Sequence, residues 1–449
     1  MEMTRGPIVK TIMRLALPIM ASSFLGTLYN MCDMAWVGTL GAKAVAGVGV
    51  GGMYMWFANC IATLPRMGGQ VLSAQAIGAG ENEKAKGYTR AALHLIVLLG
   101  ILFGAVSMLC TRQMVGFFNL GDPVSEGIAI SYMKIACGFV LFSFMNFTLA
   151  GLYTAEGDSK TPMIANFIGL VLNMILDPLM ILGIGFFPRL ETKGAAIATV
   201  TSQIIVLLIL IFHMIQKSEK SIIFKDQNYF SLCDRESYQG VVRIGLPASF
   251  QSLVYCFISM LLTRLVAGFG PEAVAVARVG GQIESVSWNT ADGFASAINS
   301  FCGQNLGASE YERIKKGYYF SAAAAFLWGL LVLIAFVFIP RPISGIFFHE
   351  EAVIALAVAY LFIVGFSEPF LMVEIVTIGA LSGLGRTRIC SILSVIVTGM
   401  RIPIAYILLR TPLGLNGIWF ACLITTVVKS ILLVITFVRG QDKLDQLKN

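Results

Sequence analysis

Residues 92–110 read ALHLIVLLGILFGAVSMLC, nineteen consecutive residues without a charged side chain. An apolar segment of about 20 residues is long enough to cross the hydrocarbon core of a bilayer as an α-helix. Similar segments recur along the whole chain of 449 residues, and only 13% of its residues are charged, against roughly 25% in soluble domains. The pattern therefore predicts an all-α polytopic membrane protein with most of its surface in lipid.

Twelve spans account for the apolar segments. We place them near residues 12–38, 44–72, 88–110, 128–155, 161–186, 192–215, 240–267, 273–301, 317–340, 352–382, 387–410 and 415–438. The loops on one side then carry 20 Lys and Arg residues, and those on the other side carry 6. Because basic loops are retained in the cytoplasm, we expect both termini to be cytoplasmic and the protein to lie in the cell (inner) membrane.

The chain repeats itself when the residue number is shifted by 229. Residues 14–23 (RLALPIMASS) align with 243–252 (RIGLPASFQS), and residues 74–86 (AQAIGAGENEKAK) align with 303–315 (GQNLGASEYERIK). About twenty of the 73 positions from Arg14 to Lys86 are identical without a gap, which shared apolar composition does not explain. At an offset of 228, GLYTAEG (151–157) aligns with GALSGLG (379–385).

The repeat predicts an N-terminal six-helix lobe (1–215), a basic cytoplasmic linker (216–239) and a C-terminal six-helix lobe (240–449). An offset of six helices preserves orientation in the membrane, so we expect the lobes to be related by a pseudo-two-fold axis along the membrane normal. Two such lobes around a central cavity are the geometry expected for alternating access.

Charged side chains inside spans mark functional candidates. Asp33 lies on span 1, and Asn30, three residues earlier, shares its helical face. On span 5, Asn173 and Asp177 are four residues apart and again share a face. Pro178 follows directly and frees a backbone carbonyl one turn earlier.

Span 6 adds Thr199 and Thr201 to this group of oxygen atoms. Hard cations such as Na⁺ prefer oxygen ligands, and closely spaced carboxylates bind protons. The group therefore predicts a site for H⁺ or Na⁺ in the N-terminal half. The alternative is that Asn173 and Asp177 only form hydrogen bonds with neighbouring helices.

The second half offers further intramembrane acids, and the first half a buried base. These secondary candidates are Glu284 and Asp292 on span 8, Glu374 on span 10, and Arg66 on span 2. Arg278 and Arg401 are placed to neutralise some of the acids, so structural ion pairs are the alternative for that half.

Several classes of function are disfavoured by the motifs. The nine cysteines form no CxxC pair and the three histidines are far apart, which argues against a metal centre. The GxGxxG match at 47–52 (GVGVGG) lacks the strand and acidic residue of a nucleotide site and is better explained by close helix packing. We expect no enzymatic activity, no cofactor and no nucleic-acid partner, and we expect a monomer whose partners are small organic substrates and the lipid bilayer.

An ordered set of segments resembles the multidrug and toxic compound extrusion (MATE) family over nearly the whole chain. It comprises residues 6–50 (GPIVKTIMRLALPIMASSFLGTLYNMCDMAWVGTLGAKAVAGVGV), AQAIGAG, GLYTAEGDSKTPM, LNMILDPLMI, KGAAIATVTSQ, GQNLGA, GALSGLGRTR and MRIPIAYIL. The resemblance implies two six-helix lobes and an antiporter that exports lipophilic, often cationic organic compounds in exchange for H⁺ or Na⁺.

The resemblance also implies roles for single residues. In members with an ion site in the N-terminal lobe, an Asp on span 1, an Asn and an Asp on span 5 and a Thr on span 6 form that site. These roles carry over to Asp33, Asn173, Asp177 and Thr199, which would also hold Na⁺, while Thr201 lies close to the last. The NorM branch has a Glu on span 7, eight residues after the Leu-Pro proline. Here Tyr255 stands at that position, so we place the chain closer to the first group, and Glu284 resembles a span 8 acid of some plant-type members.

These residues suggest a coupling hypothesis. Asp33 and Asp177 share a poorly solvated pocket, and an entering H⁺ or Na⁺ neutralises the pair. Span 1 then bends near Pro18, with Pro178 as a second hinge candidate, and the substrate loses its site. The alternative function is a lipid or lipid-linked oligosaccharide flippase of the same broad superfamily, which would be expected to have a more cationic cavity.

Overall fold

The structure is a computed structural model that describes residues 3–118, 120–185, 187–216, 221–225 and 227–446. Residues 217–220 and 226 of the predicted linker lie outside these residues. The described chain is α-helical, with 84% of residues in helices and no strand among the described residues. The predicted all-α polytopic fold is confirmed.

Seventeen helices form the described chain. They are α1 (Ile8–Gly38), α2 (Ala42–Gly78), α3 (Asn82–Leu109), α4 (Thr111–Gly116), α5 (Pro123–Ala136), α6 (Leu141–Glu156), α7 (Lys160–Leu182), α8 (Thr192–Gln216), α9 (Arg235–Ala267), α10 (Pro271–Gly307), α11 (Tyr311–Phe338), α12 (Pro340–Phe347), α13 (Glu351–Gly365), α14 (Glu368–Gly383), α15 (Thr387–Gly399), α16 (Arg401–Leu409) and α17 (Asn416–Gln446).

Among the described residues, nine helical segments are long and apolar enough to cross a membrane, or up to eleven if each of two bent helix pairs is one span. The bent pairs are α5 with α6 and α13 with α14, and each bends by 50°. In the second pair Pro369 stands in the first turn of α14. A proline is well tolerated there, because an N–H at this position would have no partner within the helix. Of the twelve predicted spans, the one absent from this count is span 8, which lies within α10. That helix has 37 residues but carries four charged side chains along its length.

The chain forms two compact units. Unit 1 comprises Ala21–Ser249, and unit 2 joins the residues before Ala21 to the chain from Phe250 onward. Both α1 and α9 therefore pass from one unit to the other, at positions equivalent in the sequence repeat and three residues after Pro18 and Pro247. This division differs from the predicted lobes 1–215 and 240–449, whose boundaries stay a prediction.

In unit 1, α2 packs against α3, α5 and α6, and α7 packs along α8. The first half of α9 also belongs here. It packs so closely on α2 that a Cβ on Gly245 would overlap the carbonyl oxygen of Leu64. Close approach of helix backbones at small residues is typical of membrane helices.

In unit 2, α14 lies against α10, α11 and α17. The rings of Tyr318 and Phe437 stack in this core. The first half of α1 packs on α10, where a Cβ on Gly293 would overlap Met20 and approach the carbonyl oxygen of Ala16. Since the repeat aligns Ala16 with Gly245 and Leu64 with Gly293, the two packings are equivalent.

Further glycine contacts recur at the repeat offsets. Gly51 faces Tyr132 as Gly280 faces Tyr360, and in both cases a Cβ would overlap the ring. Gly100 faces Leu141 as Gly329 faces Pro369. The two glycines compared in each case are 229 residues apart, and the residues that they face are 228 residues apart. Both offsets found in the sequence therefore recur in the packing.

Candidate functional site

Unit 1 contains a cavity of about 630 Å³. The described residues that line it include one carboxylate, Asp33, and no Lys or Arg. Aromatic rings of Tyr29, Trp56 and Tyr132 form part of the wall. Its main polar side chains are Asn30, Asp33, Asn59, Asn166, Thr199 and Gln203. Such a mixture of apolar surface with a few polar groups is typical of sites for small organic molecules.

Helical periodicity places the polar groups of α1 on the cavity. Tyr29, Asn30 and Asp33 lie within one turn, and all three line the wall. On α8, Thr199, Ser202 and Gln203 follow the same three- and four-residue spacing, because residues at these spacings share a helix face. Thr201 does not line the cavity, since it lies two residues, or about 200°, from Thr199 on the helix.

Asn173 and Asp177 are completely buried beside this cavity on α7. Asn173 Nδ2 donates a hydrogen bond to Asp177 Oδ1 at 3.1 Å. Asp177 lies close enough to Asp33 for their charges to interact, and Tyr29 lies near both carboxyl groups and Thr199. The four residues predicted for the ion site are thus neighbours in one part of unit 1.

This group contains oxygen atoms without a hydrogen-bond partner of normal geometry among the described residues. They are Asp33 Oδ1, Asn173 Oδ1, Asp177 Oδ2 and Thr199 Oγ1. A buried carboxylate without compensation costs several kcal/mol. A proton on the acids or a Na⁺ among these oxygens would remove that cost, because both are satisfied by oxygen donors. The donor set therefore fits either a proton or Na⁺.

The two predicted hinge prolines lie inside continuous helices, Pro18 in α1 and Pro178 in α7. Arg66 stands apart from the cavity lining. Its guanidinium carbon lies 4.1 Å from the ring centroid of Phe147, a typical cation–π contact. Among the described residues, no group of three or more His, Cys, Asp or Glu side chains is arranged to hold a metal ion.

Unit 2 contains a second cluster of buried charges. Glu374 Oε1 lies 2.7 Å from Lys429 Nζ, and both side chains are only 5% exposed. Glu284 accepts a hydrogen bond from the Tyr360 hydroxyl. Arg401 is also buried. Asp292 is exposed and does not belong to this cluster.

Sequence reasoning missed some of these residues. Asn59, Asn166 and Gln203 are polar residues in apolar spans, and that signal would have found them. Lys429 was missed as the partner of Glu374, although a lone Lys in an apolar span is the same kind of signal. The predicted partner base Arg278 is exposed.

These features define an integral membrane protein with a polar cavity and buried acids, which is the arrangement of a membrane transporter. A profile of the MatE family matches residues 18–179 and 247–407, well over half of the chain. The chain therefore belongs to the MatE family, a family of transporters, and the resemblance predicted from the sequence is confirmed. The placement closer to members with an ion site in the N-terminal lobe than to the NorM branch stays a prediction.

Individual proteins are similar over nearly the whole chain. The probable multidrug resistance protein NorM of Thermotoga maritima is 28% identical over 442 residues, 96% of this chain and 92% of its own. The probable multidrug resistance protein YoeA of Bacillus subtilis is 25% identical, over 90% and 87% of the two chains. A solved structure of a MOP superfamily transporter from Pyrococcus furiosus has a TM-score of 0.91 at 25% identity, covering 100% of this chain and 98% of its own.

Proposed function

We propose that this chain is a secondary active antiporter that exports lipophilic, often cationic organic compounds in exchange for H⁺ or Na⁺. The observation that carries the proposal is the position of Asp33. This residue lines the cavity and one of its oxygens, Oδ1, belongs to the buried group of unpaired oxygens. One carboxyl group is therefore accessible to both a substrate and a coupling ion.

Coupling follows from this shared group. A cationic substrate in the cavity is stabilised by ionised Asp33, and an ion bound between Asp33 and Asp177 neutralises that charge. Each ligand therefore lowers the affinity for the other, and linkage makes the effect reciprocal. Each ligand shifts the equilibrium between the two conformations of an alternating-access cycle only because it binds one conformation more tightly than the other. Pro18 and Pro178 are the proposed hinges through which α1 and α7 respond.

The cavity favours cations over anions, because its described lining contains a carboxylate and no Lys or Arg. The flippase alternative predicted a more cationic cavity, and Arg66 is instead stacked on Phe147. The names of the two curated relatives given above refer to multidrug resistance, which supports small organic substrates. We further propose the inner membrane, cytoplasmic termini and a monomer, on the basis of the loop charges and the unit 1 site, which is complete in one chain.

Gradient-driven export of a fluorescent organic cation from proteoliposomes tests the proposal. The imposed gradient is first H⁺ and then Na⁺, and one of them should drive export by the wild-type protein. Asp33→Asn should still bind the fluorescent cation, more weakly, but lose gradient-driven export. Glu272→Gln is the control, because Glu272 is an exposed acid in the first turn of α10, and it should transport normally.

Full coupled transport by Asp33→Asn would refute the proposal. A different result would relocate the site: if Glu284→Gln abolishes transport while Asp177→Asn does not, the coupling ion binds in unit 2. An accumulation assay with and without an ionophore separates an exporter from a flippase, since only the exporter should depend on the gradient.

A further inference from the structure

The ion-site positions of unit 1 have equivalents in unit 2 that carry different chemistry. A Cβ on Gly194 would overlap the backbone of Met180, and one on Gly417 would overlap that of Leu408. This recurring contact aligns α7 with α16 at an offset of 228 and α8 with α17 at an offset of 223. With the offset of 229 for α1 and α9, the equivalents of Asp33, Asn173, Asp177 and Thr199 are Leu262, Arg401, Ala405 and Cys422.

Three of the four unit 1 ligands are therefore replaced by groups without a strong oxygen donor, and the fourth is replaced by a cation. Arg401 is buried, at 7% exposure. Its Nε donates to Thr425 Oγ1 and its Nη2 donates to Thr426 Oγ1, both at 2.9 Å. At the offset of 223, these threonines are equivalent to Ser202 and Gln203, which line the cavity of unit 1. The Arg401 guanidinium thus lies in unit 2 at the position equivalent to the one that adjoins the ion site within unit 1.

The charges around Arg401 explain why a permanent cation is stable there. Glu284 and Glu374 both interact electrostatically with it, and Glu374 also pairs with Lys429. Glu368 is completely buried, and neither of its oxygens has a hydrogen-bond partner of normal geometry among the described residues. The other titratable groups close to Arg401 are Tyr255 and Cys422. Three buried acids therefore stand against two bases, and an arginine keeps its charge at any physiological pH.

We infer that Arg401 is a built-in cation, whose guanidinium takes in unit 2 the place that the coupling ion takes in unit 1. The acids of unit 2 are then always compensated by a cation, whereas those of unit 1 are compensated only when an ion is bound. A transport cycle therefore uses the ion site of unit 1 alone. This inference rests on the proposed ion site at Asp33 and adds the reason why its counterpart does not bind an ion.

Ion-dependent thermal unfolding of the purified protein tests the inference. Na⁺ is titrated at constant ionic strength against choline, and H⁺ is titrated in Na⁺-free buffer. The coupling ion should raise the melting temperature of the wild type, and Asp33→Asn should lose that rise. Asp33→Asn/Arg401→Gln should regain a rise of similar size, because three buried acids then face Lys429 alone, and a further Glu284→Gln should reduce it again.

The matched control is Asp33→Asn/Arg410→Gln, since Arg410 is an exposed arginine, and it should not respond. If Asp33→Asn/Arg401→Gln responds no more than this control, the inference is wrong while the unit 1 site stands. If Asp33→Asn itself keeps the full response, the proposed function fails at its site, which is a separate outcome.

Free guanidinium provides a second test in case Arg401→Gln folds poorly. Arg401→Ala leaves a pocket of the size of the lost group, so low concentrations of guanidinium ion should raise its melting temperature, and equal concentrations of Na⁺ should do so less. Arg410→Ala should show no such rise. An equal response of the two alanine variants to guanidinium would overturn the inference.

Discussion

Lys429→Met is expected to destabilise the protein strongly, because it breaks a buried ion pair from one side. Lys429 Nζ lies 2.7 Å from Glu374 Oε1 and also donates to Thr398 Oγ1 at 3.1 Å. Glu374 Oε2 already has no hydrogen-bond partner among the described residues. Without the lysine, the carboxylate is therefore left with no compensating cation in direct contact.

The magnitude follows from this geometry. At an effective dielectric constant of about 20, two unit charges 2.7 Å apart attract by about 6 kcal/mol, and desolvation of both groups offsets much of this. Removing one partner of such a pair costs about 3–5 kcal/mol, whereas replacing both by neutral groups of similar volume is often nearly neutral. Lys429→Met/Glu374→Gln should therefore be much more stable than Lys429→Met alone.

The assay uses the protein's own cysteines. Cys60, Cys137, Cys256, Cys302 and Cys390 are buried thiols, so a thiol-reactive fluorophore reports thermal unfolding in detergent. Lys43→Met provides the control: its pair with Asp122 is solvent-exposed, and exposed pairs contribute little, so its melting temperature should not change. The reasoning would be refuted if the double variant unfolded at as low a temperature as Lys429→Met.

Three further outcomes are expected. Gly245→Ala should lower the melting temperature, since its Cβ would overlap the carbonyl oxygen of Leu64 and overpacking costs about 1–3 kcal/mol. Asp234→Ala should lower the free energy of unfolding by about 1 kcal/mol at neutral pH, because Asp234 accepts hydrogen bonds from the Ser237 N–H and hydroxyl. These bonds lower the pKa of Asp234. The contribution of Asp234 to stability is therefore present above about pH 4 and is lost as the pH falls further. Arg90→Ala should speed proteolysis of the linker, since Arg90 binds linker groups at 2.7 and 3.4 Å.

Controls follow from the same packing. Gly281→Ala should leave the melting temperature unchanged, because a Cβ there meets no atom of the described residues within 4 Å. Lys84→Ala should leave linker proteolysis unchanged, since Lys84 pairs with Glu81 on its own helix end. A pH-independent effect of Asp234→Ala would contradict the capping role.

The sequence predicted features that depend on local periodicity. Apolar length indicated the helical membrane fold, and the four-residue spacing of Asn173 and Asp177 placed them on one helix face. The bend between α5 and α6 was not predicted, because hydropathy runs through it. The requirement for a long apolar segment also does not describe α10, some of whose polar residues, such as Asn299 and Gln304, are buried.

Features that depend on distant partners were not accessible from the sequence. Glu374 and Lys429 are far apart along the chain, and only the packing of α14 against α17 brings them together. Asn59 and Asn166 stand out singly as polar residues in apolar spans, but only the packing of their different helices shows that they line one cavity. The choice between Thr199 and Thr201 needed the helical phase of α8 relative to its neighbours, which a single sequence does not contain.

The passage of α1 and α9 between the units has a consequence for how the protein can be divided. Gly245 packs on α2 of unit 1, although it follows the linker in the sequence. Ala16 packs on α10 of unit 2, although it precedes the linker. A cut in the linker therefore yields two fragments that each lack one helical segment of a compact unit. Neither fragment is a self-sufficient folding unit, and we expect them to accumulate only when both are made in the same cell and reassemble by complementation.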